Sequence, residues 1–449
     1  MKMTLLPQKR VSLLDFMRQI PLLLILLSCC AFHAEADSSA PLSWQDCVRL
    51  AARNNPDLLS ALQAVESNRA QYKGSWNGVL PHLSLSNSYT DSSSSHSGLL
   101  TNGAVGTVST ESKLWQLEGV ASLDLIDLGQ WASIETAAAQ LRESQASLEE
   151  TASNVLLSLY KAFTGVLYAQ EEIQVNTHIR DTWRSNAEMI SLRYDSGAES
   201  KGNKMNTQAQ LMQAEMNLLQ AGRDVHSAQQ QLSQALGLDQ FQALVATGAW
   251  STTPVPMPEP DFDQLLVREP PIQLQEAVLD QTRAALKSAH STIWPTFSLD
   301  YAKGTQGGAE LPGDPFWTFT GVVNYPLFGG GLTSIYYASQ AARRTYEKAQ
   351  LDLRAIRNQT RTTLETAWSA FAQAHDQVEV QQAFLDAAQQ RKEEYDVLYQ
   401  SGLQSFEEWI LVVQDYVNSQ MSFLKAEQNL MLAEAQWRFA RGEQLGESL

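Results

Sequence analysis

The residues with reactive side chains are scattered, and their spacing argues against bond-making chemistry. Seven histidines are spread over 449 residues, and no two stand at metal-ligand spacing. Gly329-Gly330-Gly331 lacks the following Lys-Ser/Thr of a phosphate loop and reads as a bend from strand into helix. The paired acids Glu171-Glu172 and Glu393-Glu394 fall in helical stretches and read as solvated faces. With 49 acids against 32 bases the net charge is −17, which argues against neutralising a nucleic-acid backbone; Arg343-Arg344 is too isolated to reverse that. Cys29, Cys30 and Cys47 are too few for a disulfide framework or a four-cysteine zinc site. No catalytic set, metal or cofactor is expected. What does recur is a polar turn: Tyr194-Asp195-Ser196-Gly197-Ala198-Glu199-Ser200 returns as Tyr399-Gln400-Ser401-Gly402-Leu403-Gln404-Ser405. The glycine in each permits a tight helix-to-helix turn.

These turns are the ends of a repeated unit. Asn54-Asn55-Pro56-Asp57-Leu58 matches Arg268-Glu269-Pro270-Pro271-Ile272, and Leu83-Ser84-Leu85 matches Phe297-Ser298-Leu299. Asp127-Leu128-Gly129 loosely matches Gly329-Gly330-Gly331, and from the turns to Gly237 and Gly442 the offset is a constant 205. The order and spacing indicate a tandem duplication, about 43–237 and 261–442. The chain divides into an export signal (1–36), a first repeat (37–252), a Pro-rich linker (253–260) and a second repeat with a C-terminal tail (261–449).

Each unit reads helix, strand, strand, long helix, tight loop, helix. First helices are expected at 57–78 and 272–292, and proline-free long helices at 131–192 and 332–398. At 1.5 Å per residue the second long helix is about 100 Å, the length of a coiled coil or strut. The return helices carry heptad seams that alternate large and small residues. These run Leu211, Ala214, Leu218, Ala221, Val225, Ala228, Leu232, Ala235 and Tyr416, Ser419, Phe423, Ala426, Leu430, Ala433, Trp437, Ala440. The long helix of the second unit has a looser seam at Leu353, Ile356, Thr360, Thr363, Ala367, Ala370, Ala374 and Val378.

The strands alternate apolar and polar residues. Leu83, Leu85 and Tyr89 oppose Ser84, Ser86 and Ser88, and Trp317, Phe319 and Val323 oppose Thr318, Thr320 and Asn324. This pattern fits a soluble sheet covered by helices or a barrel facing lipid. Aromatics gather at strand ends (Tyr89, Trp115, Tyr301, Phe316, Trp317, Tyr325), as an interfacial girdle would require. Polar loops are expected from Asp91 to Leu114 and from Lys303 to Pro315. Four strands cannot span a bilayer with open edges, so membrane strands would have to be pooled between subunits. Two subunits supply eight strands and three supply twelve.

The single long apolar run, Ile20 to Leu27, follows Lys2, Lys9, Arg10 and Arg18 and precedes Ala34-Glu35-Ala36, the pattern of an export signal cleaved after Ala36. Met17 is a second candidate start, and Leu26-Leu27-Ser28-Cys29 offers lipidation of Cys29 as the other processing route. After cleavage, Cys47 remains as an unpaired thiol, expected to be buried.

Several motifs, in this order, resemble the TolC-like outer-membrane channels of Gram-negative bacteria. They are Ser43-Trp44-Gln45-Asp46-Cys47-Val48, Asn55-Pro56-Asp57-Leu58, Pro81-His82-Leu83-Ser84-Leu85, Tyr325-Pro326-Leu327-Phe328-Gly329-Gly330-Gly331 and the paired Tyr-x-Ser-Gly turns. The resemblance implies a mainly α fold with a small β portion. Long coiled-coil helices and two β-hairpins per chain would build a homotrimer with an α-helical barrel in the periplasm and a shared 12-stranded transmembrane β-barrel. It implies a passive conduit of a tripartite efflux pump or type I secretion system, working with a periplasmic adaptor protein and an inner-membrane transporter. It also implies that Ser196, Gly197, Ala198, Ser401, Gly402 and Leu403 form adaptor-docking tip loops. Tyr194, Tyr399 and Glu408 would lie at the entrance, with Tyr399 latching neighbouring helices in the closed state. The family's second entrance acid falls at Leu411, a departure from its pattern. The competing reading is a soluble periplasmic coiled-coil scaffold or adaptor, although an adaptor would carry one helical hairpin flanked by β-rich domains.

Overall fold

The computed structural model describes residues 41–99, 105–248, 260–266, 269–308, 313–325 and 332–442. The expected export signal with Cys29, the linker up to residue 259 and the Gly329–Gly331 bend lie outside these residues.

Helix α1 (Trp44–Asn54) opens on a capping box between Ser43 and Asp46. The sequence reading missed this helix. The Asn-Pro pair ends it, and Asn55 caps α2 (Pro56–Ser75) by accepting from the Asp57 and Leu58 N–H groups at 3.0 and 3.1 Å. Strands β1 (His82–Leu99) and β2 (Val105–Ile126) lead to α3 (Leu128–Asp195), capped by Asp127, and then to α4 (Lys201–Ala235). The second half holds α5 (Phe262–Leu265), α6 (Pro270–Ser291), β3 (Thr296–Gly307), β4 (Asp314–Asn324), α7 (Leu332–Gln400) and α8 (Phe406–Ala440). The long helices have 68 and 69 residues and the return helices 35 each.

The strands form one antiparallel sheet in the order β1-β2-β3-β4. Its register sets Leu83, Ala121, Tyr301 and Phe319 in one row across all four strands, and Leu85, Gly119, Lys303 and Trp317 in the next. Residues directly opposite share a face, so the apolar sets of all four strands lie together. Leu83 and Leu85 are 83% and 79% exposed, so none of the described helices covers this face. The opposite face carries Glu118, Asp124 and Asp300. Only one long side of β1 and one of β4 is hydrogen-bonded.

The expected polar loops are largely strand. Residues 91–99 pair with 105–113, and β3 reaches Gly307 before β4 begins at Asp314. Backbone pairing does not require apolar side chains once a hairpin is in register, and the register sets Asp91 opposite Lys113.

The helices form one layer. α3 lies between α2 with α4 on one side and α6 with α8 on the other, and α7 packs beyond α6 and α8. Two joins make this possible. The end of α4 abuts the start of α2, where Asn55 Nδ2 donates to the Ala235 carbonyl at 3.0 Å. Gly237 turns the chain there with φ +73°, and a Cβ on it would strike the Asn54 backbone. The end of α8 meets the start of α6 in the same manner, with Gly442 at φ +68°.

The α4 seam faces inward as expected, with Ala214, Ala221 and Leu232 buried. The α7 seam holds at Leu353, Thr360 and Val378, which are buried, and shifts between them. Thr363 and Ala370 are exposed, whereas Leu364 and Phe371 are buried against Leu430 and Trp437 of α8. α8 is buried on two sides, because it lies between α3 and α7. Cys47 is buried against Leu159 and Leu232, and burial pushes its thiol up to about 12, which makes it inert.

Candidate functional site at the hairpin tips

The two tight turns have the same backbone. In the first, the Gly197 N–H donates to the Tyr194 carbonyl and the Ala198 N–H to the Arg193 carbonyl, at 2.9 and 2.8 Å. In the second, Gly402 donates to Tyr399 and Leu403 to Leu398, at 3.1 and 2.9 Å. Gly197 and Gly402 have φ +76° and +77°, the left-handed conformation that ends a helix in this motif. Ser200 then caps α4 and Ser405 caps α8. Ser196, Gly197, Ala198, Ser401, Gly402 and Leu403 are all exposed.

The side chains around the turns differ. Tyr399 is 2% exposed, and its hydroxyl donates to the Glu199 carboxylate in the other turn. Arg193 of α3 reaches the Tyr399 carbonyl at 3.3 Å and sets its guanidinium 4.6 Å from the ring centroid. Trp409 of α8 stacks on the opposite side, with centroids 4.6 Å apart and planes at 12°. The Trp409 indole N–H donates to Asp396 at 2.7 Å, and Asp396 pairs with Lys392 at 2.7 Å. Glu199 also accepts from the Ser200 N–H at 2.9 Å and the Asn203 amide at 2.7 Å.

Partial burial by itself would raise the Glu199 carboxyl. Hydrogen bonds from Tyr399, Ser200 and Asn203, with the charge of Arg193, outweigh it and hold the group below its ordinary value. Burial, followed by the bond to Glu199, pushes the Tyr399 phenol well above its ordinary value. The pair is therefore a charged acceptor and a neutral donor at neutral pH.

Tyr194 does not join this cluster. It lies under the Lys204 ammonium, 4.7 Å away, and Lys204 pairs with Asp195 at 3.3 Å. Glu408 is exposed and tied to the α8 cap, where its carboxylate accepts from the Gln404 amide and the Ser405 hydroxyl. The sequence reading missed Glu199, Arg193 and Trp409 as tip residues. A signal for two of them existed at offset 205, where Glu199 faces Gln404 and Lys204 faces Trp409: the repeated positions differ in chemistry where the hairpins meet. Among the described residues, no group of three His, Cys, Asp or Glu is placed to hold a metal ion, and no helix is long and apolar enough to cross a membrane.

Residues 47–238 and 262–443 match the family described as "Outer membrane efflux protein". The chain belongs to that family. Its relatives include the toluene efflux pump outer membrane protein TtgC of Pseudomonas putida, 22% identical over 409 residues, covering 87% of this chain and 78% of the relative. Another is the cobalt-zinc-cadmium resistance protein CzcC of Cupriavidus metallidurans, 23% identical over 319 residues, covering 70% and 69%. Among solved structures, a membrane protein from Pseudomonas aeruginosa superposes with a TM-score of 0.78 at 17% identity, covering 89% of this chain and 93% of that one. The Campylobacter jejuni CmeC outer membrane channel gives 0.77 at 17%, covering 89% and 85%. These structural matches concern the fold. This outer membrane efflux protein is thus a TolC-like conduit of the Gram-negative outer membrane, in a family of channels rather than enzymes.

Proposed function

We propose that this chain assembles as a homotrimer and forms the outer-membrane duct of a tripartite efflux pump or type I secretion system. The observation that carries the reading is the coincidence of two sets of free edges. The sheet ends at β1 and β4, each unpaired on one side, and the helical layer ends at α2 with α4 and at α7 in the same lateral order. Unlike edges on the two sides make a head-to-tail contact, which closes into a ring when the rotation fits. Three copies would supply twelve strands, the number the family resemblance implies, and would leave no backbone edge in lipid. The exposed apolar sheet face would meet lipid, and Glu118, Asp124 and Asp300 would line an acidic lumen. β3 and β4, with 12 and 11 residues, are of bilayer length, whereas the Ser-rich end of the longer β1–β2 hairpin would project beyond it. α4 presents Met205, Met212, Met216 and Leu219 on an exposed stripe, and α7 presents Val380, Phe384 and Val397; these are the faces a neighbour would cover.

At the tip, Tyr399, Glu199 and Arg193 would act as a latch between the two hairpins, with Glu408 and Tyr194 at the entrance. The turns at Ser196-Gly197-Ala198 and Ser401-Gly402-Leu403 would receive the periplasmic adaptor, beneath an inner-membrane transporter that supplies energy. Leu192 and Leu403, exposed at this end, would give the adaptor apolar contact. Cell fractionation and the mass of the detergent-extracted species test the assembly. Recovery with outer-membrane proteins at three chains per particle is expected; recovery from the soluble periplasm, or as one chain, would overturn it. Gly402→Pro, which forbids the left-handed turn, should spare assembly and impair export.

A further inference from the structure

The two helix-to-helix joins are built alike but differ in the residue that stands between the helices. At the first, Asn55 serves both ends: its Nδ2 donates to the Ala235 carbonyl of α4, and its Oδ1 caps α2. At the second, Glu269 takes that place, between Ala440 of α8 and Pro270 of α6. A carboxylate has no N–H to offer a carbonyl. Capping is closed as well, because Pro271 has no N–H and the Ile272 N–H goes to the backbone carbonyl of Glu269 at 3.0 Å. Glu269 is 3% exposed, caps nothing, and its Oε1 has no hydrogen-bond partner. Leaving an ionised carboxyl in that state is unfavourable, because its charge has lost water and gained no partner.

Glu269 lines a partly open cavity of about 320 Å³ between α3, α7 and the join. That volume is within the size range of small-molecule sites. Glu150 of α3 lines it with a second carboxyl, Asn154 and Gln359 add neutral amides, and Pro271, Ile356 and Phe439 give it an apolar side. The carbonyl end of the 35-residue α8 also lies here and favours positive charge. Burial alone pushes the Glu269 carboxyl up to about 8, with no cationic side chain to offset it. An unpaired buried carboxyl beside an apolar surface calls for an ammonium or amidinium group on an apolar body. The absence of a three-ligand acidic group among the described residues disfavours a metal ion.

We propose that this cavity is a binding site for a small organic cation, with its charged group on Glu269 and its apolar chain against Ile356 and Phe439. It lies within one chain, at the join of α8 and α6, well away from the tip. On binding, the neutral Glu269 carboxyl releases its proton to solvent and the carboxylate pairs with the incoming cation.

The test is calorimetric titration of the full-length protein in detergent with hexylamine at pH 7, in two buffers of different ionisation enthalpy. Saturable binding with release of about one proton is expected, since the carboxyl passes from mostly protonated to ionised. Hexanol should bind at least about tenfold more weakly, and Glu269→Gln should lose at least about tenfold in hexylamine affinity together with the proton release. Equal binding by Glu269→Gln, equal binding of hexanol, or no proton release would overturn the proposal. Displacement of hexylamine by millimolar calcium chloride would replace the organic cation by an inorganic one and overturn it too. Ile356→Ser, on a half-buried wall, keeps the test open if Glu269→Gln does not assemble. It should retain proton release while weakening hexylamine more than methylamine, and equal weakening of both amines would sink the assignment.

Discussion

The two helical hairpins have return helices of equal length and turns of the same backbone, yet they bury very different amounts of surface. In α4, five of 35 residues are buried; in α8, fourteen are. The difference follows from position in the layer. α4 touches α3 on one side only, whereas α8 is wedged between α3 and α7. A single seam suffices for α4, but α8 needs apolar residues on two faces, which Trp409, Ile410, Val412 and Val413 supply in close succession. The matching turns thus differ: the tenth residue after the turn tyrosine is a half-buried lysine in one hairpin and a buried stacked indole in the other. A duplicated unit keeps its backbone where the local geometry is the same and changes its side chains where its neighbours differ.

Substitutions at equivalent positions can break this comparison. The largest effect is expected for Trp409→Ala, about 3–5 kcal/mol of stability, because a filled core site is emptied. Its counterpart Lys204→Ala should cost less, about 1 kcal/mol, because it removes a half-buried lysine paired with an exposed carboxylate and leaves no large core site empty. Denaturant unfolding of the purified variants measures both, and similar losses would show that the hairpins are not unequal in the way described. Next is Tyr399→Phe, which leaves Glu199 without its phenol donor. A loss of about 1–2 kcal/mol is expected, with raised single-channel conductance in planar bilayers. Tyr194→Phe should leave conductance unchanged and move stability by less than about 0.5 kcal/mol.

Two smaller effects sharpen the comparison. Gly197→Ala and Gly402→Ala should cost the same, about 1–2 kcal/mol each, since both have a left-handed φ and neither has an atom nearby for a Cβ to meet. Unequal costs, read from the same unfolding curves, would mean that the turns are not equivalent in solution. The smallest is the response to acid. Glu199 is held below its ordinary value of 4.5, so its contribution is complete above that pH and is lost progressively as pH falls below it. Conductance of the wild type should therefore rise on acidification below about pH 4.5, while Glu199→Gln should be flat over the same range.

Much of this was legible in one dimension. The long helices were expected at 131–192 and 332–398 and run from 128 to 195 and from 332 to 400. Proline-free runs between a turn signal and a Ser-Gly turn leave little freedom over where such helices begin and end. The α4 seam was legible because one neighbour imposes one stripe. The α7 seam is legible at Leu353, Thr360 and Val378 but off by one position at Thr363 and Ala370, since Ala and Thr are too alike in size and polarity to mark a face without a partner. The hairpin length was underestimated because a Ser-rich run has no alternation to read, although its backbone can pair as well as any other.

The candidate site was half visible. Tyr399, Gly197 and Gly402 stand out by repetition, which is a property of the chain. Glu199 and Arg193 do not, because their importance comes from contacts with Tyr399 some 200 positions away, and Trp409 does not, because the matching position of the first hairpin holds a lysine. The sequence by itself determined the elements: helix lengths, turn glycines, strand alternation and their doubling are all local, set by backbone conformations and the periodicity of apolar side chains. Only the tertiary structure decided the lateral order of the helices, and with it which tyrosine is buried, which return helix needs two apolar faces and which join leaves a carboxyl unpaired. Those outcomes depend on burial and on long-range hydrogen bonds, and neither exists until the two halves pack against each other.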